Sequence, residues 1–237
     1  MAYYNRLGKP LRNLNKMEYL RAGECASIYH NSEIIFKEYF SETPQKHKLK
    51  EDVFDILKDI DNPNFIKLLE IYSNMNLQEL VQLKTHMKKF IVDAYTAKYY
   101  DEKEINPLYE TVDYLLDNFH ELEKLFDLFT SNSIIVDDTK RENTIITKER
   151  IILIDPDSFY ISTKVKEKIA FNNKTHLLIL FKSIWTHSMP NIENQREALR
   201  DFYTKISDIP IDSTTNITYE LSKKLKYVKK PIDYVII

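Results

Sequence analysis

The hydrophobic pattern of the chain changes its period along the sequence, and this change constrains the fold more than any other feature. Short β-branched and apolar runs in the first third, at 17–20, 27–30 and 33–39, predict three strands of a meander. Further on, apolar residues recur at spacings of three and four over 107–130, and 175–185 is apolar nearly all round. Both patterns predict buried helices. Strands followed by helices predict an α+β fold.

The other predicted elements fit between these landmarks. They are helices over 44–60 and 76–86 and strands over 65–72, 90–95, 133–136 and 151–154. We expect a division near residue 95, with a sheet and one helix in 1–95 and a mainly helical part in 96–237. A tail from residue 210 carries only a weak helical pattern.

Composition excludes several classes of function. The 34 basic and 36 acidic residues give a net charge of -2, which provides no general attraction to nucleic acid or to an anionic membrane. Cys25 is the only cysteine, so an intrachain disulfide and a multi-cysteine metal site are ruled out. The chain has no apolar run of about 18 residues. We therefore expect a monomeric cytoplasmic protein, or an effector secreted without a cleaved signal, that acts through a local site.

Three oxygen-bearing side chains follow two predicted strands in the second half of the chain. Asp138 ends the first strand, Asn143 lies five positions later, and Asp155 directly follows the second strand. Magnesium is a hard cation that prefers oxygen ligands, so we expect Asn143 and Asp155 to bind it. Asp138 is suited to orient an acceptor hydroxyl and take its proton. The pattern indicates phosphoryl transfer, with Asp157 either a second metal ligand or a turn cap.

These residues resemble the catalytic motifs of protein kinases. Segment 138–143, Asp-Thr-Lys-Arg-Glu-Asn, is similar to the catalytic loop D-L-K-P-E-N, and 155–157, Asp-Pro-Asp, stands where kinases carry D-F-G. The resemblance implies that Asp138 is catalytic and that Lys140 contacts the transferred phosphate. Small-molecule phosphotransferases of the aminoglycoside type usually lack that lysine. Lys140 therefore favours a protein acceptor.

The first third resembles the nucleotide-binding part of the same family. Segment 23–29, Gly-Glu-Cys-Ala-Ser-Ile-Tyr, is similar to a reduced glycine-rich loop, in which Gly23 approaches the phosphates and Ile28 covers the adenine. Lys37 ends an Ile-Phe-Lys run that resembles the V-A-I-K strand. The resemblance implies that this lysine neutralises the α- and β-phosphates of ATP.

Two further stretches match in the family's order. Segment 62–68 resembles the H-P-N-I-V-K-L stretch that follows helix αC, and 90–95 resembles the hinge strand, so the backbones of Ala94 and Tyr95 are expected to bind adenine. The resemblance covers roughly residues 17–160. It implies a two-lobed fold with a small antiparallel sheet and one helix in the first lobe, a reduced helical second lobe, and ATP and Mg²⁺ as cofactors.

The chain departs from the family at several positions. Val53 stands where the αC glutamate is expected, which leaves Glu51 and Asp52 as candidate partners of Lys37. The loop has one glycine, Asp137 replaces the arginine before the catalytic aspartate, and no A-P-E motif follows Asp157. Asp137 argues against control by a phosphorylated activation loop.

Three hypotheses follow from these matches and departures. The first is a compact serine/threonine protein kinase of bacterial type. The second is a small-molecule kinase for an aminoglycoside, choline or sugar, which the missing A-P-E motif favours. The third is a pseudokinase that binds partners, which the single glycine and the displaced acid favour.

Overall fold

The computed structural model describes residues 2–12, 16–75, 78, 79, 82, 89–100 and 112–188. The chain divides into two compact units, the first within 1–103 and 153–161 and the second within 104–152 and 162–237. The predicted boundary at residue 95 differs from this division, because the strand that contains residue 95 lies inside the sheet of the first unit. Both sheet and helices are present, so the predicted α+β class is confirmed.

The first unit is built on a six-stranded antiparallel sheet. Its strands are β1 (Tyr4–Asn5), β2 (Glu18–Ala22), β3 (Ala26–His30), β4 (Ile34–Tyr39), β5 (Leu68–Ser73) and β6 (Ala94–Lys98). They lie in the order β1-β5-β6-β4-β3-β2, and each pair of neighbours is antiparallel. The predicted meander of the first third is therefore confirmed as β2, β3 and β4.

The β3–β4 hairpin forms because Asn31 bonds its own turn. Its side-chain oxygen accepts from the backbone N–H of Glu33 (2.8 Å) and of Ile34 (2.9 Å), and its own N–H donates to the Ile34 carbonyl (3.0 Å). Asparagine favours such turns because its short amide reaches the backbone two residues on. The turn fixes the register of β4, the strand that carries Lys37.

The amino-terminal segment and helix α1 add buried apolar side chains to the first unit. Tyr3 packs edge to face on buried Phe36 at 5.3 Å between ring centroids, and its hydroxyl donates to Glu38 (2.5 Å). Helix α1 (Glu51–Leu57) buries Val53, Phe54 and Leu57. Arg6 ties the amino-terminal segment to this helix through Asp55 at 2.7 Å.

The second unit is mainly helical. Its elements are α2 (Val112–Ser131), β7 (Ile134–Ile135), β8 (Thr144–Ile146), β9 (Ile151–Leu153), whose last residue belongs to the first unit, and α3 (Lys166–Ser188). A further short strand, β10 (Tyr160–Ile161), lies in the first unit. Within the second unit α2 packs along α3, and the apolar stripe of α2 is buried at Leu115, Phe119, Leu122, Phe126 and Phe129.

Several predicted elements change their bounds. The helix expected over 44–60 is a 3-10 turn at Gln45–His47 followed by α1, and the strand expected over 90–95 is β6, which begins four residues later. The helix expected over 175–185 is α3, which begins at Lys166. Most of 76–86, residues 107–111 and the tail from 210 lie outside the described residues. In the part that the structure describes, no helix combines the length and apolarity needed to cross a membrane.

Candidate active site

Lys37 lies on an inner strand of the sheet in the first unit. On β4 it faces Ile28 of β3 on one side and Tyr95 of β6 on the other. Its residue surface is only 8% exposed. An ammonium group this deeply buried requires negatively charged partners, because desolvation of an unpaired charge is very costly.

Two carboxylates supply that charge. The Lys37 amine lies 2.9 Å from both oxygens of Asp155 and 2.8 Å from Oδ2 of Asp157. The lysine and Asp155 are 118 residues apart in sequence. Charge-assisted contacts of this length are the strong kind of hydrogen bond. Lys37, Asp155 and Asp157 therefore form one buried ionic cluster, called the lysine cluster below.

The backbone of residues 64–66 holds the segment that carries Asp155. Leu153 donates to the Asn64 carbonyl (2.8 Å), and its own carbonyl accepts from Ile66 (2.9 Å) in a parallel bridge. Phe65 stacks on Phe159 with ring centroids 6.4 Å apart. These contacts fix Leu153 before Asp155 and Phe159 after it. Segment 62–68, which resembles a kinase motif, thus has a positional role within the first unit.

Two buried tyrosines surround the lysine amine. Tyr39 lies two residues after Lys37 on the same face of β4. Tyr95 lies on the neighbouring strand β6, directly across from Lys37. The amine is 6.0 Å and 5.9 Å from the two ring centroids, within range of a cation–π interaction. The Tyr39 hydroxyl donates to Asp157 (2.6 Å). The sequence predicted Tyr95 only through its backbone and did not predict Tyr39, although the alternation of side chains along β4 places Tyr39 on the same face as Lys37.

The charges in the lysine cluster shift one another's pKa. Burial lowers the pKa of Lys37, but Tyr95 and the two carboxylates outweigh burial, so this pKa is well above its usual value. Burial raises the pKa of Asp155, yet the Lys37 charge brings that pKa below its usual value. Burial and then the Asp155 charge raise the pKa of Asp157 to about 7. Lys37 and Asp155 are therefore ionised at neutral pH.

The lysine cluster fits a divalent cation chemically. When both aspartates are ionised, two negative charges share one ammonium, and the remaining negative charge favours an added cation. Asp155 is the more accessible carboxylate, with 29% of its side chain exposed against 13% for Asp157. Among the described residues no three His, Cys, Asp or Glu side chains gather as a metal site. Magnesium fits such a sparse site, because it commonly uses one or two carboxylates together with phosphate oxygens and water.

Neither acid predicted on α1 pairs with Lys37, and this corrects the sequence-based expectation. Glu51 lies 3.5 Å from Arg6 and accepts from the backbone N–H of Phe90 (2.9 Å). Asp52 lies 3.3 Å from Lys89 and bonds the Val53 N–H at the start of the helix. Both acids are occupied in fastening α1, and the partners of Lys37 come from 155–157.

The hairpin between β2 and β3 carries the predicted phosphate loop. Gly23 donates to the Ala26 carbonyl (2.9 Å), and the Cys25 carbonyl accepts from Phe40 N–H (2.9 Å) and the Thr43 hydroxyl (2.7 Å). A Cβ atom on Gly23 would meet its nearest neighbour only at 3.9 Å. The protein therefore leaves room for a side chain at Gly23. Ile28 is partly buried on β3.

The backbones of Ala94 and Tyr95 are not available to adenine, which corrects the predicted hinge. Both residues lie in β6, an inner strand with β4 on one side and β5 on the other, so sheet hydrogen bonds occupy their backbone groups. The preceding apolar residues Phe90 and Val92 are buried without being strand. Because buried apolar residues resemble a strand in the sequence, the strand was predicted to begin at residue 90 rather than at Ala94.

In the second unit, the loop after β7 holds Asp138 in an unusual conformation. Its φ is 51°, in the left-handed region that few residues other than glycine adopt and that aspartate tolerates better than most. Its N–H bonds the Asp137 carboxylate (2.8 Å). Such backbone strain is often found where a side chain must be aimed for function. The Asp138 side chain is 54% exposed and is therefore accessible from solvent.

Asn143 and Lys140 contact Asp138 directly. The Asn143 amide nitrogen donates to the Asp138 carbonyl (2.7 Å), and its N–H bonds the Lys140 carbonyl (3.0 Å). The amide nitrogen is thereby engaged, and the amide oxygen is the atom of Asn143 that can accept a hydrogen bond or bind a cation. The Lys140 amine lies 3.2 Å from the Asp138 carboxylate. The loop thus gathers an acid, a cation and an amide within one short segment.

Helix α3 anchors that loop through residues that the sequence did not single out. Asn173, 1% exposed, donates to the Ile134 carbonyl and accepts from the Val136 N–H, both at 2.9 Å. Thr139 donates to the His176 carbonyl (2.8 Å). No sequence pattern indicated Asn173, because the helix was expected to begin only at residue 175.

The structure gathers six of the predicted polar residues into two clusters, one in each unit, and leaves Glu51 and Asp52 outside both. The six are Lys37, Asp155 and Asp157 in the first unit and Asp138, Lys140 and Asn143 in the second. No protein-family model and no curated protein matches the chain. Its function is therefore inferred from the chemistry of these residues.

Proposed function

We propose that this chain is an ATP- and magnesium-dependent phosphotransferase with a protein-kinase-like fold. The small antiparallel sheet with one helix in the first unit and the helical second unit agree with what the resemblance implies. A glycine hairpin, β2–β3, lies next to the strand that carries Lys37. These features support the fold assignment but do not by themselves imply catalysis.

One observation carries the functional proposal. The buried amine of Lys37 contacts both oxygens of Asp155 at 2.9 Å, although each residue was selected from the sequence for a different part of the same chemistry. A structural ion pair could join any two such residues. Here the contact joins the lysine expected to bind phosphates to the aspartate expected to bind magnesium. Such a contact indicates phosphoryl transfer more specifically than an arbitrary ion pair does.

Each residue has a defined task in this proposal. When bound, magnesium and ATP supply the transferable phosphoryl group and a cation that neutralises its charge. Lys37 binds the α- and β-phosphates, and Asn143 and Asp155 supply oxygen ligands to magnesium. Asp138 orients the acceptor hydroxyl and takes its proton as the oxygen attacks. Lys140 faces the transferred phosphate.

We propose a protein hydroxyl as the acceptor. The support is Lys140, whose ammonium lies beside the Asp138 carboxylate, where a serine or threonine hydroxyl would have to approach. A cation at that point favours the charge that the phosphoryl group carries during transfer. The pairing matches the serine/threonine kinase pattern in the sequence.

A small-molecule acceptor is the second candidate. Only residues 158–165 separate Asp157 from the start of α3 at Lys166. Eight residues are too few for the long segment with an A-P-E motif that protein kinases use to dock peptides. This short connection favours an aminoglycoside, choline or sugar kinase.

Labelled ATP separates these candidates. Purified protein with Mg²⁺ and γ-labelled ATP is incubated alone, with a cell lysate, and with a panel of aminoglycosides, choline and sugars. Transfer of label to itself or to lysate proteins supports a protein kinase. ATP consumption stimulated by one small molecule, without labelled protein, supports the second candidate.

Two carboxylate variants make the test specific. Asp155→Asn removes the proposed metal ligand and should lower transfer by about 100-fold or more. Asp93→Asn is the matched control, because Asp93 also pairs with a buried lysine, Lys48, at 3.1 Å. Transfer that is equal in Asp155→Asn and wild type would contradict the proposal.

A further inference from the structure

The carboxylate of Asp157 bridges two side chains on the same face of β4. Its Oδ2 lies 2.8 Å from the Lys37 amine, and its Oδ1 accepts a hydrogen bond from the Tyr39 hydroxyl at 2.6 Å. Lys37 and Tyr39 are two positions apart on the strand and so point the same way. Both oxygens of Asp157 are therefore engaged by β4.

Tyr39 is in turn fixed from the other side. Its oxygen accepts from the backbone N–H of Leu49 at 2.9 Å, and this hydrogen bond is buried. Its ring lies 5.6 Å from the Lys48 amine, and its own N–H bonds the Asp93 carbonyl (3.0 Å). Tyr39 therefore offers Asp157 a hydroxyl at a fixed position rather than a mobile one.

Helix α1 supplies no acid to the lysine cluster. Its two candidates, Glu51 and Asp52, are held by Arg6, Phe90 and Lys89. Val53, at the position where the family resemblance places the glutamate, is fully buried and apolar. The task of fixing the phosphate-binding lysine must therefore fall to another side chain.

Asp155 and Asp157 differ in how firmly they are held. Two different side chains, Lys37 and Tyr39, bind the oxygens of Asp157, which is also the less exposed of the two carboxylates. Asp155 depends on Lys37 and on a longer hydrogen bond from the Asp157 N–H (3.3 Å). Asp155 is thus the carboxylate that can leave the lysine for another cation, while Asp157 stays in place.

We propose that Asp157, held by Tyr39, is the positioning residue for Lys37 and takes the place of an acid on helix α1. The inference rests on the proposed function, because it assigns Lys37 to the phosphates of ATP. It releases Asp155 to bind magnesium without leaving the lysine unpaired.

Steady-state kinetics at varied ATP with saturating Mg²⁺ test this inference. Asp157→Asn should raise KM for ATP about tenfold or more, the factor expected when a charge-assisted hydrogen bond that orders the clamp is lost. Tyr39→Phe removes only the hydroxyl and should raise KM in the same direction by a smaller factor. Glu51→Gln is the matched control on α1 and should leave KM unchanged.

The outcomes separate positioning from mere stabilisation. A purely structural Asp157 would lower thermal stability and the amount of active protein, while KM for ATP stayed at the wild-type value; that result overturns the inference. A KM increase in Glu51→Gln equal to that in Asp157→Asn also overturns it. If Asp157→Asn does not fold, the KM of Tyr39→Phe for ATP tests the inference instead, and a wild-type value overturns it. Wild-type protein that neither binds nor consumes ATP overturns the proposed function itself.

Discussion

Replacing Lys37 by methionine tests the lysine cluster without any assumption about catalysis. Methionine keeps most of the volume of the side chain but removes the ammonium group. Asp155 and Asp157 then face each other without the cation that both contact at 2.8–2.9 Å. The change should therefore destabilise the folded protein.

The expected loss follows from the burial of the cluster. Removing one partner of a buried ion pair typically costs about 3–5 kcal/mol, because the remaining charge stays uncompensated. Asp157, whose pKa is already raised to about 7, can take up a proton when the ammonium is gone, and this limits the loss. At this chain length a loss of about 3–5 kcal/mol lowers Tm by roughly 6–20 °C.

Lys48→Met is the matched control, because Lys48 is also a buried lysine paired with an aspartate, Asp93. Asp93 keeps hydrogen bonds from the Ser73 hydroxyl (3.0 Å) and the Asn74 N–H (3.1 Å) when the lysine is removed. Only one carboxylate loses its cation there, so we expect a smaller loss of about 1–3 kcal/mol.

Urea unfolding followed by circular dichroism at about pH 8 measures both variants. At this pH both aspartates of the wild-type lysine cluster carry charge, and the contrast is largest. We expect the midpoint of Lys37→Met to lie below that of Lys48→Met. Equal midpoints for Lys37→Met and wild type would refute the buried ionic cluster.

Three further predictions concern the second unit. Asn173→Ala should cost about 2–4 kcal/mol in urea unfolding, since it leaves the Val136 N–H and its other partners unsatisfied; an unchanged midpoint would contradict this anchor. Burial lowers the pKa of His176, so the unfolded chain takes up its proton first and stability falls as pH drops below about 6.5. His176→Gln should flatten that fall in Tm between about pH 7.5 and pH 5.5, and an unaltered slope would contradict it. Lys140→Ala should lower phosphate transfer about 10-fold or more, whereas Lys124→Ala, on an exposed ion pair of α2, should not; equal effects would remove Lys140 from the site.

Local patterns in the sequence predicted the strands around the lysine well. Residues 33–39 contain an apolar and β-branched run, and Asn31 has the turn chemistry that joins β3 to β4. Patterns failed where tertiary contacts decide the structure. Phe90 and Val92 look like strand residues but are buried in a connecting segment, and the strand itself begins at Ala94. An apolar run shows that a segment is buried, and it does not show whether the segment is a strand.

The site shows the same division between local and distant information. Lys37 and Asp155 were recognisable because each lies in a short motif with a chemical purpose. The partners that hold them were not, since Tyr39 reaches Asp157 across 118 residues and Asn173 acts through hydrogen bonds to a distant loop. The α1 acids were predicted from spacing alone. In the structure Glu51 contacts Arg6, near the amino terminus, and the N–H of Phe90 instead of the lysine.

Transfer of labelled γ-phosphate by wild type and Asp138→Asn, measured beside nucleotide binding, tests the proposed phosphotransfer most directly. Asn keeps the size of the side chain and its ability to accept a hydrogen bond but cannot take a proton at neutral pH. We predict that the variant binds ATP with magnesium as the wild type does and transfers no phosphate above background, while Glu121→Gln, an exposed acid of α2, retains transfer. Unaltered transfer by Asp138→Asn would contradict the phosphotransfer mechanism proposed for this chain.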